Sequence, residues 1–192
     1  IETIREYALE QLEASPSLAA TRRRHAAWCL KLAEACEVAV GTGEAQAWTR
    51  RVEVEHDNVR SALGWLIQTG DAGDVAAAQQ LIGALCRFWH LHSHFSEARA
   101  WAGRALAAGG GGLPRARAVW VAAWFAWTQH DLADAQRLDE EAMTIWREAG
   151  DTFGVALGRY LLGLLAIERG AYEDARDLIE AAVETFRQVA EP

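Results

Sequence analysis

Imidazole, thiol and carboxylate side chains stand close together at several places in this chain, and each grouping implies a different chemistry. His90-Leu91-His92-Ser93-His94 offers three imidazoles, which suit a transition metal. Residues two apart on a helix point away from each other, so only His90 and His94 share a face, and His94 falls where a turn begins. No Cys, Asp or Glu stands at a ligand spacing beside them. These histidines are expected to pack and to serve a turn, and no metal site is expected. Glu55-His56-Asp57 holds acid, base and carboxylate in order, but consecutive helical residues diverge by about 100° and form no relay. Asp57 or Asn58 is instead expected to bond across to a neighbouring helix. Cys29 and Cys36 share a helical face without an adjacent cation and helix start to lower their pKa, so they read as small buried hydrophobes. Gly109-Gly110-Gly111-Gly112 is followed by Leu113-Pro114-Arg115, not Gly-Lys-Ser/Thr, and no strand precedes it. A flexible connection is expected there, not a phosphate loop. Nowhere do an acid, a base and a nucleophile converge, so no catalytic residue is expected and the chain reads as non-enzymatic.

The elements that carry these residues are helical. The chain has 192 residues, 51% apolar and 24% charged, with only 3 Pro and none between Pro16 and Pro114. A formal charge of -8 argues against a nucleic-acid footprint, and Arg22-Arg23-Arg24, the one strong basic cluster, reads as a solvated face or a domain contact. No apolar run is long enough to span a membrane. The first residues, Ile-Glu-Thr-Ile-Arg-Glu, have neither an initiator Met nor a signal peptide and read as the start of a fragment of a longer chain. Three cysteines, Cys29, Cys36 and Cys86, match no disulfide framework or zinc knuckle, which suits reduced thiols in a cytoplasmic protein.

Apolar spacing predicts helices over residues 1–14, from Leu18 to Val40 and from Glu44 to Thr69. Beyond residue 74 the chain repeats. Phe95-Ser96-Glu97-Ala98-Arg99, Leu132-Ala133-Asp134-Ala135-Gln136 and Tyr172-Glu173-Asp174-Ala175-Arg176 share one pattern, their alanines 37 and 40 residues apart. Seven residues after each comes another alanine, Ala105, Ala142 or Ala182, and twelve before each a small side chain, Cys86, Ala123 or Gly163. Paired small positions on successive helices are what an antiparallel hairpin needs for close approach. Ser93-His94, His130-Asp131 and Gly170-Ala171 mark the turns.

This pattern resembles the tetratricopeptide repeat, a helix–turn–helix unit with a small residue in its first helix and alanines in its second. Leu162-Gly163, Gly170, Tyr172, Ala175 and Ala182 match its signature best, whereas the first two repeats lack the consensus glycine. The longer spacing, with Ala149-Gly150-Asp151 between units, is similar to a variant found in large bacterial signalling ATPases. Glu2-Thr3-Ile4-Arg5-Glu6-Tyr7-Ala8-Leu9-Glu10 and Glu55-His56-Asp57-Asn58-Val59-Arg60-Ser61-Ala62-Leu63 resemble segments of LuxR/AfsR-type regulators with a STAND-class ATPase module, where they lead into helical repeats. The resemblance implies an all-α fold. Residues 1–74 would be connector helices at the end of a winged-helix and ATPase region. Residues 75–192 would form a superhelix of three hairpins, at about 75–108, 115–149 and 152–190.

It also implies a site. Trp120, Trp124 and Trp127 lie at i, i+4 and i+7, one face of a helix in a chain with nine Trp. The family's ligand-facing positions map onto these three, onto Gly83, Arg87 and His90 in the preceding repeat, and onto Tyr160, Leu164 and Ile167 in the following one. Two readings stay open: an aromatic groove flanked by Arg87, His90 and Tyr160, or core, if the short superhelix closes on itself or on the N-terminal helices. The implied function is a non-catalytic sensor or protein-interaction region of a cytoplasmic transcriptional regulator. It would bind a protein or small-molecule effector and other domains of the same chain, with ATP only in an upstream domain and no cofactor, nucleic acid or membrane bound here. The alternative is a stand-alone adaptor gripping peptide tails, whose carboxylate would meet Arg87 and His90. An uncapped end hairpin is sticky, so self-association is expected through Leu178, Val183 and Phe186.

Overall fold

The small residues of the repeat pattern settle how the helices pair. The computed structural model describes Ser15 and residues 17–39 and 41–190; the helix expected over 1–14 lies outside the described residues. Among them the chain forms nine helices and no strand: α1 Leu18–Ala39, α2 Ala45–Val54, α3 His56–Gln68, α4 Ala72–Leu91, α5 Phe95–Ala107, α6 Gly112–Thr128, α7 Leu132–Ala149, α8 Thr152–Glu168 and α9 Tyr172–Ala190. This is the all-α helical-repeat class expected from the sequence. Helices α4 and α5, α6 and α7, and α8 and α9 pack as successive hairpins, and α4, α6 and α8 also touch in series. Ala98, Ala105, Ala135, Ala142, Ala175 and Ala182 are all buried, so backbones meet there with only a methyl group between them.

The three hairpin turns share one backbone conformation. Ser93, His130 and Gly170 adopt left-handed φ values of 59, 60 and 75°, and the next residue's amide donates back to the carbonyl five residues earlier. Those bonds, His94 to Trp89, Asp131 to Ala126 and Ala171 to Ala166, are each 2.9 Å long and close the preceding helix in a Schellman-type cap. Aspartates start α4, α7 and α8: Asp71, Asp131 and Asp151 each accept from an amide two or three residues on. Helix α8 lies especially close to its neighbours. A Cβ at Gly154, Gly158 or Gly163 would overlap Trp146, Met143 or Ile179 respectively.

The N-terminal part departs from the sequence reading in two ways. The single helix expected from Glu44 to Thr69 is broken at Glu55, whose φ and ψ of -95 and 7° leave the helical range and whose amide is shared between Arg51 and Val52 carbonyls. Val52 before the break and Val59 after it are both buried in the core. Helices α1 and α3 then pair with each other and lie on α4. Asp57 and Asn58 do not bond across to a neighbour. Asp57 pairs with Arg60 and Asn58 donates to Glu55, both within one turn, and it is Arg60 that reaches Glu97 of α5, at 2.7 and 2.8 Å.

Other motifs find structural uses. Arg23 of the basic cluster holds Asp74 of α4 through two 2.8 Å bonds. The glycine run joins α5 to α6 with φ of 101, 84 and 64° at Gly109, Gly110 and Gly112, values that favour glycine. Buried Gln79 fastens it by donating to the Gly109 carbonyl at 2.8 Å, and Gly110 rests against that same amide. All three cysteines are buried free thiols; burial pushes Cys29 up to about 11 and Cys86 up to about 12, so neither is a nucleophile at neutral pH.

One buried group works against the fold. Asp139 of α7 is fully buried beside Gly158, and neither carboxylate oxygen has a hydrogen-bond partner among the described residues. Burial pushes its pKa up to about 8 from the ordinary 3.8, with Glu140 adding to the effect. Between those values the unfolded chain has given up a proton that the folded chain keeps, so stability falls as pH rises through this window. Urea unfolding of Asp139→Asn beside the parent protein is expected to show a gain in stability at neutral pH that shrinks toward pH 4. A gap independent of pH would contradict the assignment.

Candidate functional site

Helix α6 has two faces of different character. Val119, Ala122, Ala123, Phe125 and Ala126 are buried, while Trp120, Trp124 and Trp127 are half-buried on the other side. Because α6 sits between α4 and α8, this second face is flanked by residues of both. Trp124 is the centre. Its ring lies 5.5 Å from Trp120, 5.1 Å from Trp127 and 6.3 Å from Tyr160 of α8, the last in parallel stacking. On the α4 side it meets the edge of His90 at 5.5 Å and donates its indole N–H to His90 Nδ1 at 3.2 Å. Arg87 and His90 are exposed, so the structure brings together five of the six residues singled out and places Arg87 one turn before His90 on α4.

The electrostatics support an open wall with a polar margin. Desolvation, then the charge of Arg87, hold His90 below the usual imidazole value of 6.5. A neutral ring keeps the Nδ1 lone pair that Trp124 needs. Arg87 has no acidic partner among the described residues, whereas Arg117, also on this side, is tied to Glu37 of α1. Arg117 covers Gly83, so that position is closed. The apolar surface continues along α8 through half-buried Leu164 to exposed Ile167. The Trp120 indole N–H is buried without a partner among the described residues.

Burial divides the tryptophans by role. Trp89 and Trp146 are fully buried and belong to the core, while the three on α6 pack on that core with one side open. Spacing could not reveal the His90–Trp124 bond, since the partners are 34 residues apart, nor the contacts of Phe95 with His90 and Phe125. His92 and His94 lie away from this face, in and beside the α4–α5 turn.

No protein-family model matches the chain. It is 32% identical over 101 residues, 53% of its length, to proteins of Mycobacterium bovis and Mycobacterium tuberculosis that carry the name HTH-type transcriptional regulator. The chain is thus distantly related to transcriptional regulators. The match spans 11% of each relative's length. Among the described residues no helix is long and apolar enough to cross a membrane.

The half-open stripe and the sealed tryptophans respond differently to truncation. Trp124→Ala is expected to keep the helical circular dichroism and to cost about 1–2 kcal/mol in urea unfolding, because its ring already touches water. Trp146→Ala, which empties a closed site, is expected to cost about 3–5 kcal/mol. Equal costs would mean that the stripe is core.

Proposed function

We propose that the chain is the sensor or protein-interaction region of a multidomain transcriptional regulator. It would be of the LuxR/AfsR type, with tetratricopeptide-like hairpins here and a STAND-class ATPase module elsewhere in the chain. The observation that carries the reading is the aromatic face of α4, α6 and α8, bordered by Arg87, which has no acidic partner among the described residues. Flat rings with one polar edge grip a protein segment or a small effector without a deep cavity. The distant relation to named regulators supports the setting.

The mechanism is a shift of population, not chemistry. An effector on this face biases the ATPase switch only if it binds the resting and active arrangements with different affinity, and a coupling of about 1–3 kcal/mol suffices for a graded response. This region itself needs no cofactor, and it works in the cytoplasm without touching DNA. Helix α9 leaves Tyr172 and Val189 exposed and Leu178, Val183 and Phe186 half-buried, which is where a second copy would dock.

A second reading draws on Arg87: an adaptor in which this guanidinium and His90 hold the carboxylate of a peptide tail. It requires that an amidated tail bind far more weakly than a free one. For the leading reading, Trp124→Ala combined with Tyr160→Ala in the whole regulator is expected to abolish the induction of a reporter gene while DNA binding is retained. Unchanged induction would contradict it.

A further inference from the structure

Three histidines and a glutamate that play no part in the aromatic face come together where α2, α3 and the α4–α5 turn meet. The break at Glu55 turns Glu53, near the end of α2, and His56, at the start of α3, toward the same place. The left-handed Ser93 swings His94 back over them. One ligand atom from each of Glu53, His56 and His94 lies within 4.8 Å of the others. Glu53 Oε2 is 3.5 Å from His94 Nε2 and 3.3 Å from His92 Nδ1.

These separations suit a small ion. Ligands at about 2.0–2.1 Å in a tetrahedral shell stand about 3.3–3.4 Å apart, so the two contacts of Glu53 already have the length of a tetrahedral edge. The widest pair closes by rotation of Glu53 and His94, which are partly exposed. The decisive feature is His56. It is 5% exposed, its Nε2 is buried, and that atom makes no hydrogen bond among the described residues. Glu97 lies 3.3 Å away, but its oxygens already accept from Arg60 and from the Trp101 indole. His94 Nε2 is likewise buried and unsatisfied. Leaving two such atoms without a hydrogen bond among the described residues costs free energy that a bound cation would recover.

We propose that Glu53, His56 and His94 form a binding site for a divalent transition-metal ion of the Zn2+ class, with His92 or water as the fourth ligand. Glu97, fixed by Arg60, stands 3.3 Å from the same His56 nitrogen and adds negative charge beside the site. The site joins the N-terminal helices to the first hairpin, so the ion would stiffen that junction.

The test is titration of chelator-treated protein with Co2+, followed by its visible tetrahedral absorption, and displacement by Zn2+. One equivalent is expected to saturate the protein, and Zn2+ to raise its melting temperature. Glu53→Gln and His94→Ala, both at partly exposed positions that leave the core intact, are expected to weaken binding by at least the about 10-fold to 100-fold that loss of even an outer partner costs. His90→Ala, on the aromatic face, should bind like the parent. No saturable uptake by the parent protein would overturn the proposal. So would equal binding by the parent and both ligand variants, or equal loss in His90→Ala.

Discussion

Everything in this structure depends on helices approaching closely at alanine and glycine. Where Ala98 and Ala105, Ala135 and Ala142, or Ala175 and Ala182 face a neighbouring backbone, no larger side chain could lie between. Glycines carry the same constraint furthest along α8, against Trp146, Met143 and Ile179. Close pairing within hairpins leaves the bulky residues to fill the rest of the core, where Phe88, Trp89, Phe125 and Trp146 are sealed. It also fixes the rotation of α6, and that rotation decides that Trp120, Trp124 and Trp127 look outward.

Ion pairs between elements then set register. Arg23 joins α1 to α4, Arg60 joins α3 to α5, Arg99 reaches Asp131 and Asp134 at the start of α7, and Arg115 joins α6 to α7. Exposed pairs add little to stability, so their value lies in choosing one stacking over others. Asp139 is the exception to this ordered use of charge: a carboxyl sealed beside Gly158 without a partner among the described residues. Such a group costs stability at neutral pH and marks the α7–α8 junction as the one that a change of packing would relieve most.

Most of the helical framework was legible because its signals are local. Periodic apolar residues, the left-handed turn positions and the aspartates that cap α4, α7 and α8 all act within a few residues. The break at Glu55 was not, because the stripe through Trp48, Val52, Val59 and Leu63 keeps helical spacing across it and only tertiary packing bends it. The stripe on α6 was visible as a stripe, but periodicity says which residues share a face and not what covers that face. The grouping of Glu53, His56 and His94 lay beyond sequence reading altogether. Local spacing made His90 and His94 the natural pair, whereas the fold sends His90 to Trp124 and His94 to residues of α2 and α3.

The aromatic face is anchored to the core yet open to solvent, with Trp124 held by His90 and Tyr160 at its centre. Fluorine NMR of the protein carrying 5-fluorotryptophan, assigned by single Trp→Phe variants and read with a soluble paramagnetic agent, measures this residue by residue. Trp124 and Trp127 are expected to broaden strongly while Trp89 and Trp146 stay sharp. Protection of Trp124 equal to that of Trp146 would contradict the account.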